Sequence, residues 1–199
     1  MATTGVDVNA RDDDGWTALM EAARHGDVEA IKVLLANGTD VDAHDEHGWS
    51  AFMLAVYQEN LEAMEVLLAN GADVDVHHED GTTALMVAAL NMKVPSMEVL
   101  LANGADVDTC DEYGRTALMA AADSGVLEAI NMLLANGADV DACDEDGNTA
   151  VMLAALVGEV EAMESLVANG ADVDARDDCG RNVLMAAAHS GNRRRSRCW

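Results

Sequence analysis

The chain has 199 residues, half of them hydrophobic and only six aromatic, enough for a packed core built from Ala, Leu, Val and Met rather than from large rings. A formal net charge of −26, with four of the 11 basic residues confined to the last seven positions, sets the body of the chain against phosphate backbones and anionic membrane surfaces. Four cysteines without a CxxC pair, no charged start followed by an apolar run, and no uncharged apolar stretch near the ~18 residues of a bilayer span predict a soluble chain in a reducing compartment, the cytoplasm or the nucleus.

In chain order the elements repeat. Gly15, Gly48, Gly81, Gly114, Gly147 and Gly180 stand 33 residues apart, and Gly5, Gly38, Gly71, Gly104, Gly137 and Gly170 keep the same step. A fixed period of this length marks a stack of identical supersecondary units. Residues 1–11 end one copy; complete units follow at 12–44, 45–77, 78–110, 111–143 and 144–176; residues 177–192 open a further copy. The array thus occupies 1–192, and 193–199 form a basic tail, RRRSRCW.

The unit at 111–143, DEYGRTALMAAADSGVLEAINMLLANGADVDAC, shows the common plan. Thr116 precedes the apolar run Ala117, Leu118, Met119, Ala121, Ala122 and predicts a capped short helix that Gly125 ends. Leu127, Ile130, Leu133 and Leu134 predict a second, amphipathic helix. Asn136 and Gly137 are expected to stop it, since both tolerate the left-handed conformation of a helix C-cap. Ala-Asp-Val-Asp and the next Asp-x-x-Gly predict an extended arm with a tight turn. Units two and three depart from the plan: Glu59 and Met92 replace the inter-helix glycine found at Gly26, Gly125 and Gly158, and Pro95 enters the third, which makes it the expected local irregularity.

The pattern D-x-x-G-x-T-A-L-M-x-A-A-x-x-G followed by E-A-I-x-x-L-L-A-N-G-A-D-V-D-A resembles the consensus of the ankyrin repeat family over nearly the whole chain. That resemblance implies an all-α repeat solenoid, with stacked helix-turn-helix units, projecting β-hairpin-like turns and an L-shaped cross-section. It also implies a binding role without catalysis. The family's first helix usually carries a histidine that ties turns together; here Met20, Met53, Met86, Met119, Met152 and Met185 stand at that position. A thioether is expected to fill the space without bridging backbone groups, so that packing carries more of the inter-repeat stability. Neither end carries a complete polar cap, which leaves self-association through an end face as one alternative, separable by light scattering over a concentration series.

Invariant residues read as scaffold. Aspartate at three frame positions supplies 16 of the 37 acids, in turns where such side chains accept backbone hydrogen bonds. Strings such as Asp144-Glu145-Asp146-Gly147 suggest calcium, but the preceding ligand position holds Ala142, and Ala10 in the equivalent place, so the signature fails. The unit-ending row Arg11, His44, His77, Cys110, Cys143, Arg176 contains zinc-type ligands, with His47 and His78 nearby. Adjacent helices stand about 8–10 Å apart, so equivalent side chains do not converge on one metal. No metal, cofactor or catalytic motif is marked out.

The positions where copies disagree carry the functional information. The ankyrin resemblance implies a concave face formed by the turn tips and the exposed side of each first helix. Unit one contributes Trp16, Arg24 and His25, and unit two His47, Trp49, Tyr57 and Gln58. Unit three adds Asp80, Thr82 and Leu90, unit four Tyr113, Arg115 and Asp123, and unit five Asn148 and Leu156. Trp16, Trp49 and Tyr57, ringed by acids, are the expected anchor, since Trp and Tyr dominate binding hot spots. The acidity favours a basic or amphipathic protein or peptide as partner over nucleic acid or membrane. An engineered ankyrin-type scaffold is the other alternative, against which stand the four cysteines, Pro95, Glu59 and Met92. RRRSR fits a nuclear address or a contact for acidic partners only weakly, and a disordered end or a translated junction better.

Overall fold

The structure, a computed structural model, describes residues 7–188. Expectations placed on the basic tail lie outside them. Ten helices run in five pairs: α1 (Ala18–His25) and α2 (Val28–Ala36), α3 (Ala51–Gln58) and α4 (Leu61–Ala69), α5 (Ala84–Leu90) and α6 (Val94–Ala102), α7 (Ala117–Ser124) and α8 (Leu127–Ala135), α9 (Ala150–Val157) and α10 (Val160–Ala168). Each pair falls inside one 33-residue unit, and residues 183–188 are again helical.

Local chemistry sets the helix boundaries. Thr17, Ser50, Thr83 and Thr116 sit extended before the odd helices, and each hydroxyl accepts the amide of the methionine three residues on, at 3.2–3.4 Å. In unit one the exchange is reciprocal: the Met20 sulfur accepts the Thr17 amide at 3.4 Å. The thioether therefore does bridge a backbone group there, contrary to the expectation from its chemistry, because a sulfur lone pair reaches the orphan donor of the first turn. Met20, Met53, Met86, Met119 and Met152 are all buried, whereas Met185 is half exposed.

The even helices stop at the expected Asn-Gly pair, with the left-handed turn on the glycine alone. Asn136 has φ −94° and ψ 10°, outside the left-handed region, and only Gly137 enters it, at φ 90°. Instead Asn136 returns its side-chain amide to the Met132 carbonyl at 2.8 Å, and Asn37, Asn70, Asn103 and Asn169 do the same in their units. Asparagine thus serves as a side-chain donor to an orphan carbonyl, and glycine takes the turn. The odd helices end in the left-handed region at Gly26, Gly125 and Gly158.

Glu59 and Met92 adopt that same conformation, with φ 60° and 58°, as the two non-glycine residues with positive φ among those described. Around Met92 the third unit is irregular as expected: α5 is one residue shorter than the other odd helices and Pro95 occupies the first turn of α6. Met92 is 59% exposed, so its side chain gains little from packing. Met92→Gly is expected to stabilise the fold by about 0.5–1 kcal/mol, the left-handed strain removed less the added freedom of the unfolded chain. Chemical denaturation of the two proteins checks this.

Small side chains curve the stack. The seam between odd helices is lined by fully or nearly buried alanines, including Ala23, Ala55, Ala88, Ala89, Ala121, Ala122, Ala154 and Ala155, which let those helices approach closely. The even helices meet through larger groups, Ile31, Met64, Leu67, Met97, Leu100, Ile130, Leu133 and Leu166, each 0% exposed. At every junction the odd helices pack more closely than the even ones, so the stack bends toward the odd-helix side.

Aspartates join the units. Asp42, Asp75, Asp108 and Asp141 each accept the amide of the first Asp in the next unit's loop, at 2.8–3.1 Å, and Asn9 starts the series by accepting from Asp40. A second set, Asp12, Asp45, Asp111, Asp144 and Asp177, closes five of the hairpin tips, each by accepting two amides, from two and four residues ahead. Much of the acidity is therefore structural. The arms themselves are slight, with single antiparallel bridges such as Arg11 to Thr17 and Cys143 to Thr149.

Candidate concave interface

Projecting hairpins and odd helices meet at an angle, and in the first two units residues that stand eight apart face each other across it. In unit one they are Trp16 and Arg24: the indole is half-buried against the core, and the guanidinium carbon lies 5.6 Å above its ring. Arg24 also comes within 3.7 Å of Glu21, which takes His25 at 2.9 Å. In unit two they are Trp49 and Tyr57, edge to face at 5.7 Å. Trp49 meets a further ring, His78 of the next unit, at 4.3 Å. The structure thus joins Trp49 to Tyr57, while Trp16 pairs with Arg24 and stacks on no other ring among the described residues.

His78 holds the place that aspartate holds in the other tips. Tips four, five and six are each tied to the one before by an amide: Glu112 to the Asp80 carbonyl, Glu145 to Tyr113, and Asp178 to Asp146, at 2.7–2.9 Å. At the second tip the equivalent carbonyl, that of His47, is met instead by His78 Nδ1 at 2.9 Å. One side chain therefore supplies a link that the backbone makes elsewhere and covers Trp49 as well. The closing role at this tip passes to Asp80, which accepts the Thr82 amide at 3.0 Å. That bond first, with a smaller contribution from His78, holds the Asp80 carboxyl below its ordinary value of 3.8.

Beyond unit two the angle opens. Thr82 and Leu90 replace the tryptophan and tyrosine; Arg115 turns to its own tip, 3.0 Å from Asp111 and 5.3 Å over the Tyr113 ring. Asn148 turns likewise, with its amide 3.0–3.1 Å from both Asp144 oxygens. What remains is a groove of about 500 Å³ across units three to five. Its floor is Met86, Leu90, Met119, Ala120 and Leu153, and its walls include Thr82, Tyr113, Arg115, Asp123, Asp144, Glu145 and Asp146.

Of the residues expected from sequence, Thr82, Leu90, Tyr113, Arg115 and Asp123 converge on this groove. Trp16, Arg24, Trp49 and Tyr57 form the filled half of the face; His25, His47 and Gln58 are exposed beside it. Asp80, Asn148 and half-buried Leu156 lie outside the groove lining. Ala120 and Leu153 were missed by the sequence reading, although a signal existed: their frame position varies from copy to copy as Glu21, Leu54, Val87, Ala120 and Leu153. Tyr113 is half exposed, and a hydrogen bond to Glu112 first, then that residue's charge, pushes its phenol above 10.0. At the last described tip, burial opposes ionisation of Asp177, but the amide and guanidinium of Arg181 outweigh it and hold the carboxyl below 3.8.

No three His, Cys, Asp or Glu side chains among the described residues stand together as a metal site. No helix there is long and apolar enough to cross a membrane.

A curved row of helix pairs with stacked hairpins, whose copies agree in the scaffold and differ along one face, is a helical repeat solenoid of the interaction class. The chain belongs to the ankyrin repeat family: the family model for ankyrin repeats in three copies matches residues 1–78, 52–144 and 136–195. Ankyrin repeats are generally protein–protein interaction modules and typically have no catalytic role. No curated protein matches the chain.

Proposed function

We propose that this stack holds another protein, or a basic or amphipathic peptide of one, against its concave face, without catalysis. The observation that carries the reading is the contrast along that face. Elsewhere the copies repeat the same buried alanines, leucines and aspartate bonds, whereas the pairs across the hairpin–helix angle change from Trp16 and Arg24 to Trp49 and Tyr57 to Thr82 and Leu90. A change of paired side chains from copy to copy along one face is what partner selection requires. Net charge supports a cationic partner and opposes a phosphate backbone.

Tyr57 is the better reporter of the aromatic half, being 43% exposed while Trp49 also packs on the core. Tyr57→Ser is expected to weaken binding of a protein captured from native lysate about tenfold or more, as loss of a hot-spot aromatic does. Its melting temperature should stay within a few degrees of the parent, because an exposed ring contributes little to folding. The capture and a calorimetric titration of the purified partner check both. Unchanged affinity in Tyr57→Ser and in Trp49→Ala would remove the aromatic half from the interface.

A further inference from the structure

Two halves of the concave face differ in what they leave unsatisfied. In the groove over units three to five, the side chains of Asp111 and Asp144 are engaged, the first by Arg115 and the second by Asn148 and by the amides of Asp146 and Asn148. The carboxylates of Asp123, Glu145 and Asp146 accept no hydrogen bond and meet no cation within ion-pairing distance among the described residues. They border a floor in which Leu90 is 44% exposed and Ala120 and Leu153 are partly exposed. The one guanidinium in the groove, Arg115, is already held by Asp111 and Tyr113.

An apolar floor bordered by carboxylates that hold no hydrogen-bonded cation, with only Asp146 attracted at longer range to Arg181 of the next tip, matches one kind of group: a cationic head on an aliphatic stem. Lysine and arginine side chains lay their methylenes along apolar surface and keep the charge at its edge. A volume of about 500 Å³ exceeds one such side chain and suits a short segment. We propose that this groove is a distinct subsite for a peptide segment of a partner that combines an arginine or lysine with a neighbouring apolar residue, the stem over Leu90 and Leu153 and the charge among Asp123, Glu145 and Asp146. The inference deepens the concave-face reading by giving its open half a ligand chemistry separate from the aromatic half.

The test uses the full chain and a fluorescent decapeptide of alternating leucine and arginine, with a second peptide in which citrulline replaces every arginine. Citrulline keeps the shape and removes the charge. The arginine peptide is expected to bind at least tenfold more tightly than the citrulline one. Asp123→Asn with Asp146→Asn should weaken it about tenfold, and Leu153→Asn severalfold at unchanged helicity by circular dichroism. Glu62→Gln with Glu65→Gln removes the same charge from exposed sites on α4, outside the concave face, and should alter affinity by less than twofold.

An equal loss in the α4 variant would overturn the subsite in favour of attraction to overall charge. Equal binding of both peptides would overturn the cationic ligand. The chain's own arginines at 193, 194, 195 and 197 are the competing occupant: if replacing them by serine raises peptide affinity fivefold or more, the groove belongs to the tail. The captured partner's dependence on Tyr57 is read separately from the peptide titration. Failure at the groove with a captured partner still dependent on Tyr57 would therefore remove the subsite and leave the concave-face reading standing.

Discussion

Gly48→Ala is expected to destabilise the stack by about 2–5 kcal/mol, while Gly71→Ala costs about 1–2. Both glycines are left-handed, at φ 88° and 92°, so both substitutions meet the same backbone strain. The difference is space. A Cβ at Gly48 would stand 2.8 Å from the Glu79 amide nitrogen and 2.9 Å from the His78 Cα, whereas at Gly71 it would meet nothing within 4 Å. Backbone cannot swing aside as a side chain can, and here it belongs to the tip that presents His78 to Trp49. Urea denaturation of both variants measures the difference. Equal effects would mean that the tips are not in close register.

The second large effect is expected in the outer seam. Leu133 is 0% exposed in the last turn of α8, a helix packed between α6 and α10. Leu133→Ala should cost about 2–5 kcal/mol, the lost transfer energy plus an unfilled cavity. For a chain of this size that lowers the melting temperature by roughly 5–20 °C. Because each unit touches only its neighbours, the loss falls on the middle of a one-dimensional array, and the unfolding transition should broaden as the flanking units part company. The control lies on the solvent side of α2: Val33, 60% exposed, should tolerate alanine within about 0.5 kcal/mol. Calorimetry distinguishes the two outcomes.

These two sites show what was legible in the sequence. The 33-residue period, the hydroxyl caps and the turn aspartates show in composition and spacing, and the structure bears them out except at Thr149, whose buried hydroxyl makes no cap bond. Asn136 does stop α8, but asparagine suits two capping roles, left-handed backbone or side-chain donor, and spacing alone does not separate them. Met20 was misjudged because an expectation from thioether chemistry ignored an amide left orphan at the first turn of the helix.

The concave site was harder to read for a different reason. Its variable positions are visible in the sequence, but the groove exists only because Thr82 and Leu90 are too small to close the angle and Arg115 and Asn148 are drawn back to their own tips. That is a property of three units together, beyond any repeat-by-repeat comparison. The exchange of aspartate for His78 is equally visible as a letter. Its consequence, a ring that covers Trp49 and replaces a backbone link, required the register of adjacent tips.

Amide hydrogen exchange on the chain, with and without a captured partner, tests the concave-face reading most directly. Protection is expected at the hairpin tips around residues 45–49, 78–82 and 111–115 and at the exposed ends of α3, α5 and α7, with α4, α6 and α8 unchanged. Protection confined to the even helices would contradict it, and would move the interface to the opposite side of the stack.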